Sequence, residues 1–496
     1  MIIAHDLGTT GNKASLHHPD GRLIDAVTVN YPAHFASGGL AEQNPEDWWN
    51  AVVSATRSLM EKSETVPASI SGIVISGQMM GAVLLDADYR PVRPAIIWAD
   101  TRANAQHEQL LDAIGEAEAY AILGHRLNPT YSIEKVMWVR DNEPDVWSLV
   151  HRVCVAKDYV AFRISGRLAT DRSDASGTNA YDQSTGQWSQ AILAAAALPH
   201  DLFPEILEST DVLGGVTAEA AATLGLVPGT PIVMGGGDGP LAAVGAGVVS
   251  PEDGAYVSLG TSSWISFVTD SPVHDPSLRT FTFNNVVPGS FVPTATMQAG
   301  GASLQWFSEV IHGQPSSKDT AVLIDQANAS IDTEHLFFLP YLLGERSPLW
   351  EPSARGSFVG LGRHHTRTHM MRAVMEGVAY NLLTCMVAFR ESGHTFDRIT
   401  AVSGGAQSDT FLQLLADMWG VPVLRRSIVD EANSLGAAVT GAVGLGLADF
   451  SAARSLSSIT GEFTPDAGLH ASYQERYELF TEAIDALVPW FRKAHQ

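Results

Sequence analysis

The chain has 496 residues, 45% hydrophobic and 17% charged, with 54 acidic against 30 basic side chains and a formal net charge of −24. Its length exceeds the roughly 100–200 residues of an ordinary domain, so at least two domains with sizeable cores are expected, and the composition excludes a disordered chain. The negative charge argues against nucleic acid or an anionic membrane as partner, since both demand a basic face, but it leaves room for a small anionic nucleotide held by backbone amides.

Met1–His5 reads as a short apolar strand, Asp6–Lys13 as a Gly/Thr turn and Ala14–His18 as the returning strand, with Asp20-Gly21 turning into Arg22–Val29. Asn44, followed by Pro45, Glu46 and Asp47, has the chemistry of a helix start, and Trp48, Trp49, Val52 and Val53 continue it at helical spacing. Ile70–Ser76 and Ala82–Asp86 read as strands flanking the Gly77–Gly81 turn. The strand Pro231–Met234 runs into Gly235-Gly236-Gly237-Asp238-Gly239-Pro240. Ala255–Leu259, the turn Gly260–Ser263 and Trp264–Val268 then repeat the opening hairpin. Asp6-Leu7-Gly8-Thr9-Thr10 aligns with Ser258-Leu259-Gly260-Thr261-Ser262 at a constant offset of 252 positions, from 6 to 258. A repeat near half the chain length predicts two similar domains facing each other across a cleft, with a boundary near Gly247–Asp253. Gly300–Gln305 begins a helix, and Ser403–Asp409 follows the strand Arg398–Val402 and opens another.

Cys154 and Cys385 are too few for a disulfide framework and read as buried thiols. Met1–Asp6 lacks the basic segment of a secretory signal and no apolar run approaches ~20 residues, so a cytoplasmic protein is expected. The histidine groups His17/His18 and His364/His365/His369 lie in turn or polar contexts and read as solvated side chains rather than metal ligands.

The chemistry concentrates in the glycine-rich turns. In each hairpin, glycines let backbone amides approach phosphate oxygens while threonines add hydroxyl donors, and Asp6 is placed to hold a metal ion or its waters. Two such hairpins from two domains can clamp a polyphosphate from opposite sides. Only six lysines occur, which fits phosphate binding by amides and hydroxyls with Lys13 assisting. Asp238, presented after three glycines at a strand end, is the best candidate for a general base. The Gly404-Gly405-Ala406 turn fits a nucleotide at a strand-to-helix junction.

These pieces, together with Glu42–Trp49, Ser76–Gly81, Trp98-Ala99-Asp100-Thr101-Arg102, Lys157-Asp158-Tyr159, Thr170–Thr178 and Leu339–Pro348, resemble the FGGY carbohydrate kinases. The likeness is strongest to the xylulokinase-like branch of that actin/hexokinase/Hsp70 superfamily. The resemblance implies an α/β protein of two ribonuclease-H-like, actin-like ATPase domains flanking a catalytic cleft. Residues 1–247 would carry the sugar site and catalytic base, and 248–496 would bind nucleotide. It implies ATP and Mg2+ as cofactors, Asp238 as base and Asp6 as the acid near magnesium, with Asp238 facing the same ion. Thr9, Thr10, Gly260 and Thr261 would contact phosphates, while Gly301, Gln305, Gly405, Ala406 and Asp409 would sit near the nucleoside. Gln78, Met79, Met80, Trp98, Asp100, Arg102 and Gly239 would line or brace the sugar site.

Two positions depart from the branch. Met80 stands where a His commonly follows Gln-Met, and Gly239 where an Asn commonly follows the catalytic Asp. Both changes remove a polar partner for sugar hydroxyls. The expected activity is ATP-dependent phosphorylation of a primary hydroxyl of a ketose such as D-xylulose. Another ketose, a polyol or a sugar acid is the alternative acceptor, and a catalytically inactive sugar sensor the alternative class. The expected partner is a small sugar or polyol, without nucleic acid or membrane, and a homodimer is compatible with this reading.

Overall fold

The computed structural model describes residues 1–314, 316–328, 332–427 and 432–494; positions 495 and 496, the end of the second expected domain, lie outside the described residues. The first sheet contains β1 (Ile2–Leu7), β2 (Gly11–His17), β3 (Leu23–Asn30), β4 (Gly72–Gly77), β5 (Val212–Gly215) and β6 (Pro231–Gly237) in the order β5-β6-β4-β1-β2-β3. β1 to β3 form an antiparallel meander, whereas β4 and β6 run parallel to β1. The hairpin turn is tighter than the Asp6–Lys13 segment read from the sequence. Asp6 pairs with Lys13 and Leu7 with Asn12, so the ladder captures those residues and leaves Gly8–Thr10 as the turn. Val83–Leu85 is a strand as expected, but it pairs with Arg152–Cys154 outside the main sheet.

Helix α1 (Pro45–Lys62) starts where Asn44 accepts a hydrogen bond from the Glu46 N–H at 3.2 Å. It buries Trp48, Val52, Ala55 and Leu59, a helical stripe, in the core beneath the sheet. Helix α2 (Asp238–Gly245) follows β6 directly.

The second sheet repeats the plan with β7 (Ala255–Leu259), β8 (Ser263–Phe267), β9 (Phe281–Asn284), β10 (Phe291–Met297), β11 (Ile399–Val402), β12 (Val423–Arg426) and β13 (Ile459–Phe463). Their order is β9-β10-β8-β7-β11-β12-β13, with β7/β8 the hairpin and β11 and β12 parallel to β7. The halves are thus two ribonuclease-H-like α/β units. Helices α3 (Gly301–His312), α4 (Arg367–Glu391) and α5 (Asp409–Trp419) belong to the second. α4 is buried over most of its length, including Cys385, and Cys154 is buried as well, as expected for structural thiols.

Helix α6 (Ala432–Gly444) lies against the first half. Its Ala437, Ala438, Val439 and Ala442 pack on Ile2, Ala4, Val74 and Val233 of the first sheet and on Leu241 and Val244 of α2. Small residues are required there. A Cβ on Gly245 would come 1.8 Å from the Ala432 carbonyl oxygen, and one on Gly436 would come 2.0 Å from that of Leu241.

His17 departs from its solvated reading. It is 1% exposed, with Nδ1 2.9 Å from the Gly21 carbonyl oxygen and Nε2 2.9 Å from Ser15 Oγ. The turn that seemed to expose it folds over it, and burial lowers its pKa to about 4. Among the described residues no helix is long and apolar enough to cross a membrane.

Gly436→Ala forces α2 and α6 apart and should cost about 1–3 kcal/mol of stability. A lowered melting temperature is the expected result, and an unchanged one would mean that the crossing widens without penalty.

Candidate active site

The candidate base directly follows a strand pressed unusually close to its neighbour. β6 shifts register against β4 between Val233 and Gly236. Gly235 there has φ +70°, and a Cβ on it would lie 1.9 Å from the Ile75 carbonyl oxygen, so only glycine fits. The next glycines are seated on a polar network: the Gly237 N–H donates to Ser173 Oγ at 2.9 Å, and Ser173 donates in turn to Asp171 Oδ2. Ser209 Oγ donates to the same oxygen at 2.7 Å. Beneath it, fully buried Lys157 Nζ meets Asp158 at 2.8 Å, Asp171 at 3.1 Å and Asp174 at 3.4 Å. Burial first, then the carboxylates of Asp171, Asp158 and Asp238, hold the Asp174 carboxyl far above its ordinary range despite Lys157.

Asp238 is the first residue of α2 and its Oδ1 accepts from the Gly239 N–H at 2.8 Å. Burial, and secondarily the charge of Asp6, push its carboxyl up to about 7. A carboxylate with that pKa is matched to proton abstraction near neutrality.

Three cavities lie along the β7/β8 hairpin, and Asp238 lines one of them. One of about 210 Å³ is lined by Met79, Met80, Trp98, Asp238 and Gly239 from the first half. The second half closes it with Trp264, Phe281, Phe283, Thr294 and Arg346. A larger one of about 1120 Å³ lies wholly against the second half, where Gly260, Thr261, Gly301, Gln305, Gly405 and Asp409 line it. The Gly301 N–H donates to the Gly260 carbonyl at 2.8 Å, tying the start of α3 to the hairpin. A third of about 150 Å³ contains Asp6, Lys13, Ser258 and Ser403. The β7/β8 hairpin borders all three, so a ligand reaching from the large cavity to Asp238 must pass it. Lys135 and Lys157 are fully buried in the first half and do not line any of these cavities.

Several residues expected at the site act from behind it. Gln78 Nε2 donates to Gln43 Oε1 at 2.7 Å, and Gln43 Nε2 donates to the Thr9 carbonyl at 2.7 Å, so both brace the first hairpin. Asp100 is fully buried, accepts from Arg102 Nε at 2.9 Å and Nη2 at 2.7 Å, and accepts from the Ala41 N–H at 2.6 Å. Arg102 also meets Glu42 at 2.8 Å. Ala406 is fully buried behind the Gly405 turn and lines none of the cavities, and Asp409 sits on the rim paired with Arg425. Thr9 is half-buried beneath Trp98, and Thr10 is exposed at the hairpin tip.

The residues that sequence reasoning missed are mostly on the second-half wall. Phe281, Phe283 and Thr294 alternate along ordinary strands and carry no motif. Arg346 was visible only inside the Leu339–Pro348 segment. Ser173 and Lys157 stood in segments whose only signal was the family likeness. Among the histidines, Glu334, His364 and His365 approach within 4.8 Å. The Gly362 N–H donates to His365 Nδ1 at 2.8 Å, which puts the proton of the neutral ring on Nε2 and removes its lone pair from ligation.

Residues 1–245 match the FGGY family of carbohydrate kinases, N-terminal domain, and residues 255–445 match the C-terminal domain of the same family. The chain is 33% identical over 491 residues to a xylulose kinase of Escherichia coli (strain K12), covering 99% of each. The solved ligand-bound xylulose kinase from Lactobacillus acidophilus aligns with TM-score 0.93 at 28% identity, over 99% of both chains. A gluconate kinase structure from the same organism aligns with TM-score 0.92, also at 28% identity and over 99% of both chains. With both family domains present in order along nearly the whole chain, the protein belongs to the FGGY carbohydrate kinases and is an ATP-dependent sugar kinase.

Proposed function

We propose that this kinase transfers the γ-phosphoryl group of ATP to a primary hydroxyl of D-xylulose. The observation that carries the reading is the position of Asp238, a carboxyl with a pKa near 7 at the mouth of a small cavity, next to the hairpin that borders the larger one. The xylulose kinases among its relatives support the choice of acceptor.

In this reading the second half, 248–496, holds the nucleotide in the large cavity, and the first half, 1–247, supplies the base and much of the sugar site. The sugar lies between Met79, Met80 and the aromatic wall of Phe281 and Phe283, with the hydroxyl to be phosphorylated at Asp238. Asp238 orients that hydroxyl and accepts its proton as the oxygen attacks phosphorus. Gly260, Thr261, Thr9 and Thr10 hold phosphate oxygens through amides and hydroxyls, with Lys13 assisting, so the chain contributes mainly positioning and charge stabilisation. Asp6 and Asp238 fit Mg2+, because both offer hard carboxylate oxygens and lie close enough for the Asp6 charge to raise the Asp238 carboxyl. Bound there with the phosphates, the ion would neutralise charge on the transferred group.

A sugar acid is the second reading. Arg346 lines the acceptor cavity with its Nε buried and, among the described residues, without a hydrogen-bond partner, while Met80 and Gly239 offer no side-chain hydrogen bond to a neutral sugar.

An ADP-release assay over a panel of ketoses, polyols and aldonates decides between them. D-xylulose should give the highest kcat/KM, and dominant turnover of gluconate would replace the first reading by the second. Asp238→Ala should lower kcat by about 10²–10⁴-fold with ATP binding retained; near-normal turnover would remove Asp238 from its role. The wild-type kcat/KM should fall on the acid side with an inflection near the Asp238 value of about 7, because the raised pKa leaves the carboxyl protonated, and unable to accept a proton, below it. A profile flat between pH 5 and 8 would contradict that assignment.

A further inference from the structure

Trp98 belongs to two sites at once. The residue is 39% exposed and lines the small cavity that Asp238 also lines, while its indole N–H donates to Thr9 Oγ1 at 2.9 Å. A hydroxyl has one proton to donate and lone pairs to accept with. With the indole occupying an acceptor position, the Thr9 proton is left free to be donated elsewhere.

The hairpin backbone does not depend on Trp98. The Gly8 N–H donates to the Gly11 carbonyl at 3.0 Å, Tyr31 Oη donates to the Gly8 carbonyl at 2.5 Å, and Gln43 holds the Thr9 carbonyl. Those contacts fix where Thr9 is. The indole contact bears on how its hydroxyl is oriented, and the Trp98 side chain is partly exposed.

We propose that Trp98 couples the two substrate sites: an acceptor packed on its ring immobilises the indole, which orients the Thr9 hydroxyl to donate to a phosphate oxygen of the nucleotide. Each substrate then tightens the binding of the other, since a coupling free energy is reciprocal. The cost of ordering the indole and hydroxyl is met by whichever substrate binds first. In the absence of acceptor, the triphosphate is held without the oriented Thr9 hydroxyl. This rests on the assignment of the small cavity to the acceptor and the hairpin to phosphate.

The test is calorimetric titration of a non-hydrolysable ATP analogue with Mg2+, with and without saturating acceptor, on wild type, Trp98→Phe, Thr9→Val, the double variant and Thr9→Ser. The acceptor is D-xylulose or whichever compound the wild type phosphorylates fastest, so a wrong choice of sugar is exposed by the activity panel and does not affect this readout. Acceptor should tighten the analogue by about 5-fold or more in the wild type. That ratio should collapse toward one in Trp98→Phe and in Thr9→Val, with no further loss in the double variant, and Thr9→Ser should keep it. Retention of the ratio by Thr9→Ser and the absence of further loss in the double variant are outcomes that a merely structural defect would not give. A wild-type ratio of one, a Trp98→Phe ratio equal to wild type, or additive losses in the double variant would each overturn the proposal. Thr9→Val provides the readout should Trp98→Phe fold poorly.

Discussion

Two carboxylates, Asp6 and Asp238, share one desolvated cleft, and like charges repel far more strongly there than in water. Much of the surrounding architecture makes that arrangement tolerable. The Gly239 N–H and the first turn of α2 put positive dipole ends at Asp238. Deeper in the first half, Lys157 offsets part of the charge of the three aspartates packed around it. Burial first, and the repulsion from Asp6 second, keep the base protonatable near neutrality, and the paired carboxylates leave a region of negative potential that favours a divalent cation.

The same region is shaped by small residues. Gly235 allows β6 onto β4, and Gly245 and Gly436 allow α2 against α6, so both the carboxylate and the element behind it are placed by backbone contact rather than by adjustable side chains. Ser173 and Ser209 then convert the buried charge of Asp171 into fixed hydrogen bonds at the glycine strand. A site assembled from backbone and short side chains has few rotamers to lose, which suits a reaction catalysed chiefly by positioning.

What was legible in the sequence was local. Asn44 ahead of Pro45, the paired Gly/Thr hairpins and three glycines before Asp238 each announce a backbone geometry within a few residues, and each is found. Turn-forming residues run from Asp6 to Lys13 in the sequence, but the ladder that pairs Asp6 with Lys13 and Leu7 with Asn12 shortens the turn to Gly8–Thr10. His17 differs for a related reason, since the Gly turn beside it carries no local sign that it covers the ring. Long-range features stayed hidden. Nothing near Phe283 or Thr294 says that those strands face Asp238 across the cleft, and nothing near Lys157 says that Asp171 and Asp174 will surround it. Gln78, Asp100 and Arg102 were recognised through family likeness, but only packing shows that they support the hairpin and its flanking loop from behind.

The placement of α6 bears on how the chain comes to exist. Ile2, Ala4, Val74 and Val233 are covered by a helix that begins at residue 432. During synthesis the N-terminal sheet therefore emerges before the helix that covers much of this face, with Leu241 and Val244 of α2 the first-half residues that share the cluster. Contacts of such sequence separation close slowly, and an uncovered apolar sheet is prone to association in the meantime. The ribosome thus releases a first half that is not yet a self-sufficient folding unit, and its maturation is tied to the arrival of a segment translated near the end.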